Sequence, residues 1–360
     1  MLQESVAIPP EVIVPHTAGF DPARLEAFLR GRLPAEGPGF GMEAVGGGQS
    51  NPTFFLTLGE RRLVLRKRPP GPLLPSAHAI DREFRVQSAL KGTGVPVPEP
   101  LLYCADESVV GTAFYVMERV DGRIFHDSAL PGVSHAERAA MYDSLADVLG
   151  RLHRVDHRAV GLEGYGRDGD YFARQISRWT RQWEMSRTRD LPDVNVLITW
   201  LAAHVNRPSE EAARTGIVHG DFRFGNVIFH PAEPRIVAVL DWELSTLGHP
   251  LADLAHTCVY SWLFKPDEYG GGVMGLDLAA LGIPSLDAFV ARYGAATGSE
   301  VRLDPFHLAF ALFRNAVIFE GIAARARGGN ASAANAREIG ALAPVFARRA
   351  VEIIEGRCLV

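Results

Sequence analysis

The hydrophobic period of this 360-residue chain changes at Asp121-Gly122, and that change limits the folds open to it. Before it, Phe54, Leu56 and Leu58 alternate with Phe55, Thr57 and Gly59, and beyond the turn at Gly59-Glu60 the run Arg62-Leu63-Val64-Leu65-Arg66 keeps the two-residue period. Successive side chains of a strand point to opposite faces, so this pattern predicts an antiparallel hairpin within a β-like stretch from Phe40 to Arg68. A helix is expected from about Ile80 to Leu90. The run Val95-Pro96-Val97-Pro98-Glu99-Pro100 cannot continue it, because each proline lacks a donor and holds its predecessor extended. Further strands are expected around Leu101–Cys104 and Ala113–Val120. Residues 1–20 show no period, and Asp21-Pro22 reads as an N-cap and first-turn proline opening a short helix over Leu25, Phe28 and Leu29.

After Asp121-Gly122 the pattern turns helical. Helices are expected over Ser134–His153, with Ser134 and Glu137 as a capping box, then Tyr171–Glu184, Val194–Val205, Leu251–Leu263, Leu286–Tyr293, Phe306–Ala326 and Ala331–Ile354. One pair of strands interrupts them, Asn226–His230 and Arg235–Leu240. The fold class expected is α+β. Residues 1–37 form an arm and short helix, 38–120 a small antiparallel sheet with one helix, and 121–360 a larger, mainly helical part.

Composition narrows the function classes. A formal net charge of −5 disfavours a nucleic-acid partner, which calls for concentrated basic charge. Cys104, Cys258 and Cys358 are far apart and lack metal-ligand spacing, so a disulfide framework is not expected and a reducing, cytoplasmic setting is. Glu4 and Glu11 stand where a secretory signal is basic, and no apolar run reaches the ~18 residues of a membrane span. No membrane partner is expected, and the oligomeric state is not legible.

Chemistry concentrates around the second strand pair. His219-Gly220-Asp221-Phe222-Arg223-Phe224-Gly225-Asn226 fits H-x-D-x-x-x-x-N, and the strand Ile236–Leu240 ends at Asp241. A hairpin brings the ends of its strands together, so Asp221, Asn226 and Asp241 can converge. That set suits phosphoryl transfer: one Asp takes or orients the hydroxyl proton, while an Asn and a second Asp hold Mg²⁺ against nucleotide phosphates. Hard oxygen donors without Cys or His match magnesium rather than zinc. His219 reads as a residue that holds the loop, and Asp253 as a first-turn carboxylate favoured by the helix dipole.

With Gly46-Gly47-Gly48-Gln49-Ser50-Asn51, Val64-Leu65-Arg66-Lys67, Arg82-Glu83-Phe84 and Val95-Pro96-Val97-Pro98 in order before this motif, the chain resembles the aminoglycoside phosphotransferase and choline-kinase-like superfamily from about Phe40 to Ala326. The wording is most similar to the kinase-like domains fused to acyl-CoA dehydrogenases. The resemblance implies a protein-kinase-like two-lobe fold binding ATP and Mg²⁺ between its lobes. It implies Asp221 as catalytic base and Asn226 and Asp241 as magnesium ligands. Glu83 would pair with a cation on the preceding strand, where Arg66 replaces the usual lysine and Lys67 lies on the opposite face. It also implies that Gly47, Gly48, Ser50 and Asn51 cover the phosphates and that Glu118 and Val120 flank adenine.

The same resemblance implies a small hydroxyl-bearing acceptor, a hydroxyacyl-CoA first and an aminoglycoside, sugar or amino alcohol second. Between Tyr165 and Asn195 six arginines mix with five carboxylates, which is no acidic trap for a polycation, and Arg314, Arg325 and Arg327 could meet coenzyme A phosphates. Arg66 in the lysine position leaves open a nucleotide-binding protein without transfer activity.

Overall fold

The computed structural model describes residues 19–46, 51–71, 79–167, 169–205, 215–269, 271–327 and 336–358. The chain divides into two compact units, one of residues up to Arg85 with Pro98–Arg119, the other of Val86–Val97 with Val120 onward. The division cuts through a helix and gives Val86–Val97 to the helical unit, unlike a single boundary at residue 120.

The first unit begins with α1 (Pro22–Arg30), whose N-cap Asp21 accepts the Ala23 N–H. Five strands follow: β1 (Phe40–Ala44), β2 (Thr53–Leu58), β3 (Arg61–Lys67), β4 (Pro100–Cys104) and β5 (Phe114–Glu118). They form one antiparallel sheet in the order β1-β2-β3-β5-β4. Pairing Phe54 with Leu65 and Leu56 with Leu63 puts the alternating apolar residues on one face, where they bury against Leu25 and Leu29 of α1. The opposite face carries Val64, Tyr115 and Met117 and packs on Ile80 and Phe84 of α2 (Ile80–Leu90). The β2–β3 turn requires glycine: Gly59 has φ +60°, and a Cβ there would lie 1.8 Å from the Glu36 carbonyl oxygen. A one-turn helix, α3 (Glu107–Val110), stands between β4 and β5; four residues are too few to show a helical period.

The second unit contains α4 (His135–Arg154), α5 (Tyr171–Ser186), α6 (Pro192–His204), α7 (Leu251–Trp262), α8 (Leu278–Leu281), α9 (Leu286–Thr297), α10 (Pro305–Arg327), α11 (Ala336–Ala341) and α12 (Ala343–Ile354). Helix α10 packs against α5, α6, α7, α11 and α12. By length and composition it could cross a membrane, yet 83% of its most apolar window is buried inside the protein, as a core helix should be.

Three expectations need correction. Ser134 caps α4 by accepting the Glu137 N–H, but the Glu137 carboxylate turns to Arg123 at 2.7 Å, so the box is not closed reciprocally. The single helix expected over Ala331–Ile354 is two among its described residues, separated at Leu342, with Pro344 in the first turn of α12 where its missing N–H costs nothing. Besides β7 (Val227–Phe229) and β8 (Ile236–Val239), a second pair appears, β6 (Gly216–Val218) with β9 (Thr246–Gly248). Three residues per strand carry no readable alternation.

Candidate active site

The loop between β6 and β7 is held from one face of α7. Asp253, His256 and Thr257, spaced i, i+3 and i+4, fall on a single helical face. The carboxylate of Asp253 accepts the N–H groups of His219 at 2.6 Å and Gly220 at 2.7 Å. The Thr257 hydroxyl donates to the Phe222 carbonyl at 2.8 Å, and His256 Nε2 donates to Asp221 Oδ1 at 2.7 Å. Asp253 is 1% exposed, and His153 Nε2 reaches its Oδ2 at 3.3 Å. Burial alone would raise its pKa, but the donors from His153 and Gly220 outweigh that and hold it below the usual carboxylate range. Gly220 has φ +88°, and a Cβ would lie 2.8 Å from the Leu244 carbonyl oxygen, so only glycine fits.

His219 joins the loop to the second strand pair. Its Nδ1 accepts the Asp221 N–H at 3.1 Å, so Nε2 carries the proton and donates to the Leu240 carbonyl at 2.8 Å. The Leu240 N–H in turn donates to the Asn226 carbonyl at 2.8 Å. Asp241 follows directly, in a left-handed conformation at φ +64° that costs a non-glycine residue about 1 kcal/mol. The backbone at Asp221, Asn226 and Asp241 is thereby drawn together.

Around Asp221 the lone pairs can be counted. Oδ1 accepts from His256 and from Arg223 Nε at 3.2 Å, filling its two positions, while Oδ2 accepts from Asn226 Nδ2 at 2.7 Å and keeps one. The side chain is 21% exposed. Burial would raise its pKa, but Arg223 and the His256 hydrogen bond dominate and keep it ionised well below the usual range. Asn226 also donates to the Asp221 carbonyl at 2.8 Å, so both its N–H groups serve Asp221 and Oδ1 remains available to a cation. Among the described residues no group of three or more His, Cys, Asp or Glu could hold a metal by itself. A hard cation at Asn226 and Asp241 would complete its shell with phosphate or water oxygens.

In the first unit Arg66 occupies the cation position. Its Nη1 lies 3.1 Å from Oε2 of Glu83, which is fully buried and also accepts from Tyr115 at 2.9 Å and, through Oε1, from Asn51 at 2.6 Å. Lys67 points to the other sheet face, where Nζ donates to the Val110 carbonyl at 2.6 Å and lies 4.7 Å from the Phe20 ring centroid. Burial lowers its pKa. Of the residues expected to cover the phosphates, Asn51 precedes β2 and donates its side-chain amide to Glu83 of α2, and Gly47, Gly48 and Ser50 lie outside the described residues. The Glu118 N–H donates to the Glu99 carbonyl and its carboxylate pairs with Arg61, while Val120 follows the last strand of the sheet.

The motif alone did not single out His256, Arg223 or Arg314 at this site. Arg314 is 8% exposed, donates to the Gly220 carbonyl at 2.6 Å and has no carboxylate partner among the described residues. Its guanidinium lies 5.7 Å from the Trp179 ring centroid, and that of Arg178 lies 5.2 Å from the same ring. Burial, then the charge of Arg314, lowers the pKa of Arg178. By contrast, Arg189 is paired with Glu320 at 2.8 Å, and Arg327 donates to the Thr188 carbonyl.

Residues 41–306 match the model of the phosphotransferase enzyme (APH) family. The chain is 44% identical over 345 residues to acyl-CoA dehydrogenase family member 11 of Gallus gallus, covering 93% of this chain and 43% of that protein. It therefore spans less than half the length of this curated relative. A crystal structure from Ralstonia eutropha, named for the aminoglycoside phosphotransferases, is 44% identical, superposes with a TM-score of 0.84 and covers 94% of this chain and 99% of that one. A thermostable mutant of aminoglycoside phosphotransferase APH(4)-Ia, crystallised with AMP-PNP and hygromycin B, shares the fold at 19% identity and a TM-score of 0.59, covering 87% of this chain and 93% of that one.

Proposed function

The chain belongs to the phosphotransferase enzyme family, and from that premise we propose that it moves the γ-phosphoryl group of Mg·ATP to a hydroxyl of a small acidic acceptor, with hydroxyacyl-CoA esters as the leading class. The observation that carries this reading is the state of Asp221: ionised, held on both oxygens, and left with one open lone pair on Oδ2. A hydroxyl donating to that lone pair is oriented for attack. As its oxygen bonds to the γ-phosphorus, the bond to the β–γ bridging oxygen breaks, ADP leaves, and the hydroxyl proton passes to Oδ2. In a loose phosphoryl-transfer transition state, orienting the hydroxyl matters more than removing its proton early. A strongly stabilised, weakly basic carboxylate suits that role.

Asn226 and Asp241 would hold Mg²⁺, which supplies neutralisation of the nucleotide phosphates. Arg66, oriented by Glu83, offers a forked guanidinium to phosphate in place of the family lysine. ATP as donor is supported by the AMP-PNP complex of the APH(4)-Ia relative. A cytoplasmic setting accords with the free thiols of Cys104, Cys258 and Cys358. The acidic character of the acceptor rests on Arg314, since a buried guanidinium without a carboxylate is costly unless a ligand supplies the anion. The kinship with a dehydrogenase-fused relative favours an acyl-CoA acceptor over a polycation.

The test is ADP release from Mg·ATP across hydroxyacyl-CoA esters, free hydroxy acids, sugars, choline-like alcohols and aminoglycosides, with each product confirmed by a mass gain of one phosphoryl group. Transfer to the hydroxyacyl-CoA esters supports the full reading. Transfer only to aminoglycosides overturns the acceptor class, and nucleotide binding without any product identifies a non-transferring protein.

A further inference from the structure

His256 is the one side chain on the loop-facing side of α7 that touches Asp221, and its placement is unusual for a histidine kept only for packing. It is 2% exposed, and its Nε2–H donates to Asp221 Oδ1 at 2.7 Å. Its other nitrogen, Nδ1, is buried and has no hydrogen-bond partner among the described residues. Buried polar atoms are paired as a rule, so an unpaired nitrogen shows that this ring is placed for the one bond it does make. An apolar side chain could fill the space beside the Tyr260 ring, 4.7 Å away, without burying an orphan atom.

The bond falls where it can control geometry. Arg223, the other donor to Oδ1, has a half-buried side chain, 31% exposed, and a longer bond of 3.2 Å. His256 is anchored on a buried helix, and Asp253 and Thr257 of the same face fix the loop on either side of Asp221. Together they fix the carboxylate plane and close Oδ1 to any further donor, so an incoming hydroxyl meets Oδ2 alone. We propose that His256 is a positioning residue for phosphoryl transfer: it sets the rotamer of Asp221 and selects Oδ2 as the oxygen that receives the hydroxyl proton. The groups facing the ring are Asp221, Asp253, Arg314 and Tyr260, and none but Asp221 hydrogen-bonds to it. The proposal rests on the phosphotransferase reading above.

The test compares the wild type with His256→Leu, which deletes the donor, and His256→Gln, whose amide N–H reaches the same place as Nε2. ADP release is followed with Mg·ATP and water as the only acceptor, and again with any acceptor the wild type phosphorylates, alongside thermal midpoints. For a group acting only on transition-state geometry, His256→Leu lowers kcat about 10–100-fold with KM for Mg·ATP unchanged, and His256→Gln recovers kcat to within about fivefold of wild type. Equal losses in both variants that follow their thermal midpoints, a raised KM with kcat intact, or a fully active His256→Leu variant would each overturn the proposal while leaving the phosphotransferase reading in place. A wild type that releases no ADP with any acceptor, water included, overturns that reading and the proposal with it.

Discussion

Asn226 donates both hydrogens of its side-chain amide to Asp221, one to the carboxylate at 2.7 Å and one to the backbone carbonyl at 2.8 Å. The geometry turns its Oδ1 away from Asp221, so under the proposed function one residue would serve the base from one end of a planar group and a cation from the other. Asn226→Asp keeps the size but removes both donors and sets a second carboxylate against the first. The expected result is a fall in transfer of about 10²-fold or more, as charge repulsion and a lost charge-assisted hydrogen bond combine. Steady-state ADP release checks it, and a variant within threefold of wild type would contradict the arrangement.

Asp253 supports the loop from beneath. Asparagine at this position accepts through only one oxygen, leaving one of the His219 and Gly220 N–H groups unpaired in a buried place. Asp253→Asn is expected to destabilise the protein by about 2–4 kcal/mol. Denaturant unfolding reads this directly. An unchanged midpoint would mean that the two N–H groups find other acceptors.

Arg66 and Glu83 give a prediction with two arms. Arg66→Met removes the cation 3.1 Å from a fully buried carboxylate that keeps Tyr115 and Asn51 as donors, and should cost about 3–5 kcal/mol of stability. Arg66→Lys restores a charge with a compact ammonium, and kcat/KM for Mg·ATP should stay within about tenfold. Equal losses of kcat/KM in the two variants would show that the guanidinium fork, rather than its charge, is what the nucleotide needs.

His307 predicts a pH dependence of stability. Its ring lies tilted against Phe172 and stacked on His249, its Nδ1 accepts the Asp304 N–H, and burial, aided by the charge of His249, pushes its pKa down to about 4. A folded-state pKa below the unfolded value means that, as pH falls from 6.5 towards 4, the unfolded chain takes up a proton that the native chain refuses. Stability should therefore fall across that window, by at most about 3 kcal/mol from this group. His307→Asn should flatten the slope in urea titrations between these pH values, and an unaltered slope would assign it to other groups.

The sheet was legible because Phe54, Leu56, Leu58, Leu63 and Leu65 bury one face, and a period of two survives in sequence. The loop from His219 to Asn226 was legible as a spacing, and Asp241 as the end of an apolar strand. Residues acting on that loop from a distance were not. His256 lies 35 positions from Asp221, and its role rests on the face it shares with Asp253 and Thr257. That i, i+3, i+4 triplet of polar residues in a mostly apolar helix was the available signal. The β6–β9 pair escaped because three-residue strands are defined by their partner rather than by their own pattern.

The most direct test of the account is Asp221→Asn, measured for phosphorylated product and for Mg·ATP affinity by calorimetry, using an acceptor that the wild type phosphorylates. Asparagine preserves the shape of the side chain but cannot take the hydroxyl proton. The account predicts product formation lower by about 10²–10⁴-fold with nucleotide affinity within about threefold of wild type. Product formation within tenfold of wild type would contradict it.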